Sequence, residues 1–312
     1  MNRPTVGGRR PGRVVVLGSL NADQTAWVDA LPGPGETVLA EDFFTTLGGK
    51  GFNQAVTAAR MGAAVTMVGC VGDDRDGAQL VQALRDEGVD VANVRRHYER
   101  PTGRAQITVN AAGENTIVVV PGANQAAEFP SAVLDGADVL LAQLECPPEV
   151  VVAALAVAHA GGVTTVLNPS PAFPLSVEAL GLVDYLVPNR VEASVLPISE
   201  WLAGRGGIGD GAAAPGTVIV TLGAKGALVH KGGRERRLPA VPVAEVVDPT
   251  AAGDAFCGAL AAGVALGWSF AEVLSRAAAA GAHAVTVAGA LPSLPTLAQV
   301  DALRQANVGG AG

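Results

Sequence analysis

Residues 248 to 254 read Asp-Pro-Thr-Ala-Ala-Gly-Asp and open a run of small helix-forming residues, Ala255 to Ala261. A helix start leaves its first amides unpaired and carries partial positive charge, which suits the oxygens of a phosphoryl group in transfer. Ala251, Ala252 and Gly253 keep bulk away from those amides, and the Asp254 carboxylate can take a proton from an attacking hydroxyl. The chemistry written there is phosphoryl transfer to an alcohol. The competing reading is structural: Asp is a common helix N-cap.

A second polar cluster, Gly48-Gly49-Lys50-Gly51-Phe52-Asn53, opens the first long helical pattern. Its glycines admit a polar ligand to the main chain, while Lys50 and Asn53 offer directional contacts. The spacing is neither a Walker loop nor a dinucleotide fingerprint, and the first apolar strand runs into Gly18-Ser19-Leu20-Asn21-Ala22-Asp23 rather than a three-glycine turn, which disfavours a nicotinamide-dependent dehydrogenase. An ordinary strand-to-helix turn would also explain the cluster.

Short Val-rich runs bounded by Gly, Pro, Asn or Asp must position these groups: 13–17, 65–71, 139–144, 163–167, 185–187 and 217–221. They read as buried, mostly parallel strands. Helical patterns fall between and after them, at 52–61, 77–87, 148–160, 190–196, 255–266 and 270–287. The pattern predicts an α/β fold with a doubly wound, mostly parallel sheet, forming one domain over residues 1–312. Segments 24–47 and 102–120 break the alternation, and the second reads as a hairpin turning at Ala112-Gly113-Glu114-Asn115. Together they predict a small β-sheet lid that shields the reaction from water, with a dry face that calls for a partner. The Gly/Ala-rich stretch 204–216 predicts a loop.

A formal charge of -8 over 312 residues argues against the basic surface that nucleic acid or an anionic membrane requires. Cys70, Cys146 and Cys257 are odd in number and set in apolar sequence, as expected of reduced thiols in the cytoplasm. The four histidines lack metal-ligand spacing. The stretch 1–13 is basic and reads as a loose tail rather than a signal peptide.

The cluster Gly48 to Ala55, followed by Gly62 and Gly72, resembles the first signature of the ribokinase (PfkB) family of sugar kinases, and Asp248 to Ala261 resembles the second. Asn21-Ala22-Asp23, Gly35-Glu36-Thr37, Gln143-Leu144-Glu145, Asn168-Pro169, Pro188 to Glu192 and Thr221 to Gly226 match further landmarks in order. The resemblance covers about residues 13 to 306. It implies an ATP-dependent kinase of D-ribose acting on the 5-hydroxyl, with Asp254 as base and the amides of Ala251 to Gly253 as anion hole. Asn21, Asp23, Gly49, Lys50, Asn53 and Glu145 would hold the sugar, and Asn189, Thr221, Gly223, Lys225, Gly226 and Gly253 the nucleotide. Asn189 and Glu192 would hold Mg²⁺ through waters, a capping box being the rival account. Asp248, Thr250, Ala284, Val287, Gly289 and Ser293 would enclose K⁺. The implied assembly is a homodimer through the lid. Kinases of fructose, of adenosine or other nucleosides, or of 2-dehydro-3-deoxygluconate are the alternatives, and a non-catalytic sugar-binding regulator is a more distant one.

The chain departs from the family pattern in three places. Arg104 stands where a small apolar residue is usual, so it either makes the roof of the sugar pocket polar or points to solvent. Stretch 204–216 replaces a regular helix, and no polar adenine neighbour occurs around Ala277 to Ala280.

Overall fold

The computed structural model describes residues 11–112, 114–198, 202 and 214–309. Its strands in chain order are β1 (Arg13–Leu17), β2 (Asn21–Val28), β3 (Asp42–Gly48), β4 (Ala64–Gly72), β5 (Asp90–His97), β6 (Gly103–Asn110), β7 (Asn115–Val120), β8 (Val139–Gln143), β9 (Thr164–Asn168), β10 (Tyr185–Leu186), β11 (Thr217–Thr221), β12 (Ala227–Lys231) and β13 (Arg234–Leu238). The helices used below are α1 (Lys50–Arg60), α2 (Arg75–Asp86), α3 (Pro148–Ala160), α4 (Val177–Leu180), α5 (Arg190–Val195), α6 (Ala252–Ala265) and α7 (Phe270–Ala284).

Nine strands pair in the order β13-β12-β11-β10-β9-β8-β1-β4-β5. Every pairing from β11 through β5 is parallel, and β12 and β13 close one edge as an antiparallel hairpin. Burial on both faces explains why the central strands are unbroken apolar runs. Val14 and Val16 join one core cluster with α1, α6 and α7, while Val15 and Leu17 join the other with α3 and α4. The same alternation divides Val139 and Leu141 from Leu140 and Ala142. β1 lies between β8 and β4, so the chain order reverses there, and ligands of such sheets bind outside the strand carboxyl ends at that reversal.

The edge hairpin escaped the sequence reading because β13, Arg234-Glu235-Arg236-Arg237-Leu238, carries charge at positions that face solvent and lacks the Val-rich pattern. α6 begins at Ala252, three residues ahead of the expected start, because the Ala-Gly pair is taken into its first turn. Arg13–Leu17, Thr217–Thr221 and Pro148–Ala160 fall on the expected bounds.

The two segments expected to form a lid build a separate sheet ordered β3-β2-β6-β7, called the lid below. Residues paired across strands share a face, so Asp23, Thr46 and Ala105 lie on one side and Ala22, Leu47 and Arg104 on the other. The outer strand is apolar on both faces: consecutive Val118 and Val119 are 59% and 49% exposed. The tail before Pro11 and most of the 204–216 stretch lie outside the described residues. No described helix is long and apolar enough to cross a membrane.

Candidate active site

Asp254 occupies the first turn of α6 and is 7% exposed. It caps nothing: the N-cap is Ala251, which has no side-chain cap, and both Asp254 oxygens are engaged from α1. Asn53 Nδ2 donates to Oδ2 at 3.0 Å and Gln54 Nε2 to Oδ1 at 2.9 Å. The capping reading is therefore excluded. Close approach of the two helices makes these bonds possible, since a Cβ on Gly258 would stand 2.6 Å from the Gln54 carbonyl oxygen.

Gln54 is the residue that sequence reasoning left without a role. It is fully buried and also receives Gln143 Nε2 at 2.6 Å and donates to Asn168 Oδ1 at 3.2 Å, so amide groups from the ends of β8 and β9 fix the plane of the carboxylate. A buried amide adjoining the signature Asn was the available signal, because such a group must find partners.

Ala251 is the one non-glycine residue with positive φ among the described residues, at φ 60° and ψ 2°. An L-residue held there costs about 1–2 kcal/mol, and such strain gathers where backbone is aimed at a ligand. The twist turns the Gly253 and Asp254 amides outward without a protein acceptor, while the Ala252 amide keeps a long 3.4 Å contact to the Pro249 carbonyl. Of the three amides expected to form the anion hole, those of Ala251 and Gly253 have no acceptor among the described residues, and that of Ala252 has only this one. A Cβ at Gly253 would meet nothing within 4 Å. Gly253→Ala should therefore leave thermal stability within about 0.5 kcal/mol while its methyl obstructs the phosphoryl position and lowers kcat by about tenfold or more; matched melting and turnover measurements check the split.

Two cavities meet at Gly253. One, of about 210 Å³, is bounded by Lys50, Asn168, Asn189, Glu192, Asp254 and Cys257. The other, of about 900 Å³, is walled by the Gly223–Gly226 turn, residues 237–243 and one side of α7. Thr221, Pro249, Ala252 and Gly253 border both. Gly223, Lys225 and Gly226, expected to contact the nucleotide, line the larger cavity.

Behind Lys50 lies the cluster expected to hold the sugar. Ser19 Oγ donates to Glu145 Oε2, which also accepts the Lys50 amide at 3.2 Å. Asn21 Oδ1 accepts Asn124 Nδ2 at 2.7 Å, a contact the sequence did not disclose. The signature glycines are steric necessities: a Cβ on Gly48 would fall 2.2 Å from Asp23 Oδ2, and Gly49, at φ 91°, would place one 2.8 Å from the Asn21 amide. Burial, reinforced by Glu145 and Asp254, lifts the Asp23 carboxyl to about 7. Burial disfavours the Lys50 ammonium, but the carboxylates of Asp254, Glu145 and Glu192 prevail and raise its pKa. Asp23 Oδ1 and Asn53 Oδ1 are buried acceptors with no protein donor. Acceptors of this kind suit hydroxyl donors such as a polyol carries.

Asn189 and Glu192 form the capping box of α5: Asn189 N donates to Glu192 Oε2 at 2.7 Å and Glu192 N to Asn189 Oδ1 at 2.8 Å. Each carboxylate oxygen keeps a lone pair, and Glu192, 4% exposed, borders the smaller cavity, so capping and an outer-sphere role toward Mg²⁺ are compatible. Asp248 Oδ1 accepts the Thr250 amide at 2.9 Å and Oδ2 the Gly289 amide at 2.8 Å, which joins two of the expected K⁺-enclosing segments. Ser293 is buried and donates its hydroxyl to the Ala290 carbonyl. Ala284 ends α7, and Val287 lies in the bend that follows it.

Arg104 does not roof the sugar cluster. It lies on the opposite face of the lid from Asp23 and pairs with Asp76 Oδ2 of α2 at 2.9 Å, tying the lid to the main body.

A family model described as pfkB family carbohydrate kinase matches residues 12–297. The chain is 38% identical over 292 residues to a ribokinase of Haemophilus influenzae, covering 91% of this chain and 95% of that one. It is 37% identical over 310 residues to a ribokinase of Schizosaccharomyces pombe, with coverages of 92% and 96%. The solved Arabidopsis thaliana ribokinase complexed with ribose and ATP superimposes with a TM-score of 0.86 at 33% identity, covering 95% of this chain and 99% of that one. A Methanocaldococcus jannaschii nucleoside kinase shares the fold at 19% identity and a TM-score of 0.82, covering 96% of this chain and 100% of that one. With two thirds and more of its length matched by the model and by relatives above 30% identity, the chain belongs to the pfkB family of carbohydrate kinases.

Proposed function

We propose that this chain transfers the γ-phosphoryl group of ATP to the 5-hydroxyl of D-ribose, giving D-ribose 5-phosphate and ADP. The observation that carries the reading is the buried Asp254 carboxylate, fixed by Asn53 and Gln54 beside unpaired amides where the two cavities join. The Arabidopsis protein's complex with ribose and ATP favours ribose over the other polyols.

The sugar's ring hydroxyls donate to Asp23 and Asn53, whose free acceptors lie within the same polar cluster. Asp254 orients the primary hydroxyl and removes its proton as the oxygen attacks in line. The Gly253 and Asp254 amides at the head of α6, with Lys50 nearby, stabilise charge on the transferring group. Asn189 and Glu192 would hold Mg²⁺ through its waters, and the ion would neutralise the triphosphate. The loops of Asp248, Thr250, Gly289 and Ser293, with carbonyls near Ala284 and Val287, would hold K⁺, which would brace residues 250–253. Replacing K⁺ by Na⁺ should lower turnover several-fold without moving the sugar affinity; equal rates in the two salts would remove the ion from this account.

A homodimer through the lid is part of the proposal. Trp27, Phe43, Phe44, Val118 and Val119 leave apolar surface on the lid, and a second copy would cover it. A monomeric mass at micromolar concentration would contradict this. Buried, unpaired Cys70, Cys146 and Cys257 support a reducing cytoplasmic setting. The activity itself is tested by ADP release across ribose, fructose, 2-dehydro-3-deoxygluconate and adenosine. Ribose should give the highest kcat/KM, and adenosine leading would overturn the substrate.

A further inference from the structure

The larger cavity carries an asymmetry of chemistry. Its ionisable wall residues are Lys225 and Arg237, both cations, and its other hydrogen-bonding side chain among the described residues is Thr221, which also borders the smaller cavity and so marks the phosphate end. The remaining wall is apolar: Val241, Val243 and Val246 on one side, Phe256, Ala282 and Val285 on the other. No described wall residue brings a carboxylate or a carboxamide.

Adenine and guanine differ at the edge such groups would read. Adenine presents an amino donor at C6 where guanine presents a carbonyl acceptor. Selecting adenine by side chains needs an acceptor for that amino group, and Lys and Arg are donors only. A cationic donor within reach suits O6 and N7 of guanine at least as well. An apolar slot rejects a base of equal size weakly, by about a hundredfold at most, whereas a hydrogen-bonding slot rejects the wrong partner by about 10⁴ or more. The side chains of this wall, two cations and an apolar surface, therefore suit a nucleoside triphosphate and do not distinguish one purine from another.

Resting on the kinase reading above, we propose that the nucleotide site takes purine nucleoside triphosphates as a class, so that GTP and ITP serve as phosphoryl donors alongside ATP. The sugar and the residues at Asp254 are the same in each case, and only the base differs in the apolar slot.

The test measures kcat/KM for ATP, GTP and ITP at saturating D-ribose, together with displacement of a fluorescent ADP analogue by ADP, GDP and IDP. The expected result is that GTP and ITP fall within about a hundredfold of ATP, with displacement constants in the same range. A preference for ATP greater than about a hundredfold in turnover and in displacement would overturn the proposal while leaving the kinase reading intact, since backbone groups would then be reading the amino edge. Absence of turnover with every triphosphate, together with no binding of the analogue, would sink both.

Discussion

Asp254→Asn is expected to lower kcat by about two to four orders of magnitude while the sugar dissociation constant stays within about threefold. The loss falls on turnover because the carboxylate, in the proposed mechanism, acts on the proton that leaves as the phosphoryl group arrives, an interaction strongest in the transition state. The substitution has a second consequence. Asn53 Nδ2 and Gln54 Nε2 both donate to Asp254, and an amide offers one oxygen where the carboxylate offers two. One buried donor then faces an NH₂ group, which costs about 1–3 kcal/mol of stability. Asp254→Ala avoids that contact. Equal turnover of either variant with the parent, measured on folded protein, would remove Asp254 from the mechanism.

Asp23→Asn should move stability and function in opposite directions. The carboxyl titrates near 7 in the folded protein against 3.8 ordinarily, because burial and the carboxylates of Glu145 and Asp254 penalise its ionised form. Between those two values the unfolded chain binds fewer protons than the folded one, so this group's contribution to stability is fully favourable below about 4 and is lost as pH rises to about 7. Above that pH the ionised Asp23 costs about 4 kcal/mol, at 1.36 kcal/mol per pKa unit. Removing the charge should raise Tm by several degrees at pH 8 and do little at pH 4. Sugar binding should fall by about 10²–10³, since the neutral amide replaces a charged acceptor of two hydroxyls and leaves one of them facing a donor. In the parent protein the sugar dissociation constant should decrease about tenfold from pH 6 to pH 8, as the carboxylate becomes available without a deprotonation cost. A pH-independent affinity, or an Asp23→Asn variant no more stable than the parent at pH 8, would contradict the assignment.

The strand core was legible because β1, β8 and β11 are buried on both faces, and uninterrupted Val and Leu runs are the direct imprint of that burial. The edge hairpin was not, since four of the five residues of β13 are exposed and its arginines mask the alternation. Asp254, Lys50 and Asn53 could be nominated from the two signatures, yet the bonds joining them depend on how closely α1 approaches α6. That distance is set by Gly258, whose spacing from Gln54 in the chain announces nothing. Arg104 shows the opposite case. A strand's period of two puts it across the sheet from Asp23 once register is known, but register itself comes from pairing with β2. The strain at Ala251 left no mark in the sequence, because alanine tolerates a left-handed turn only under tertiary constraint.

Identification of the product tests the central claim most directly. After incubation with D-ribose, ATP and Mg²⁺, ³¹P and ¹³C NMR should show a single sugar phosphate ester at the C5 oxygen, with ADP formed in equal amount. Phosphate on the anomeric oxygen, or ATP consumed without any ester of ribose, would contradict an Asp254 carboxylate that deprotonates the primary alcohol beneath the head of α6.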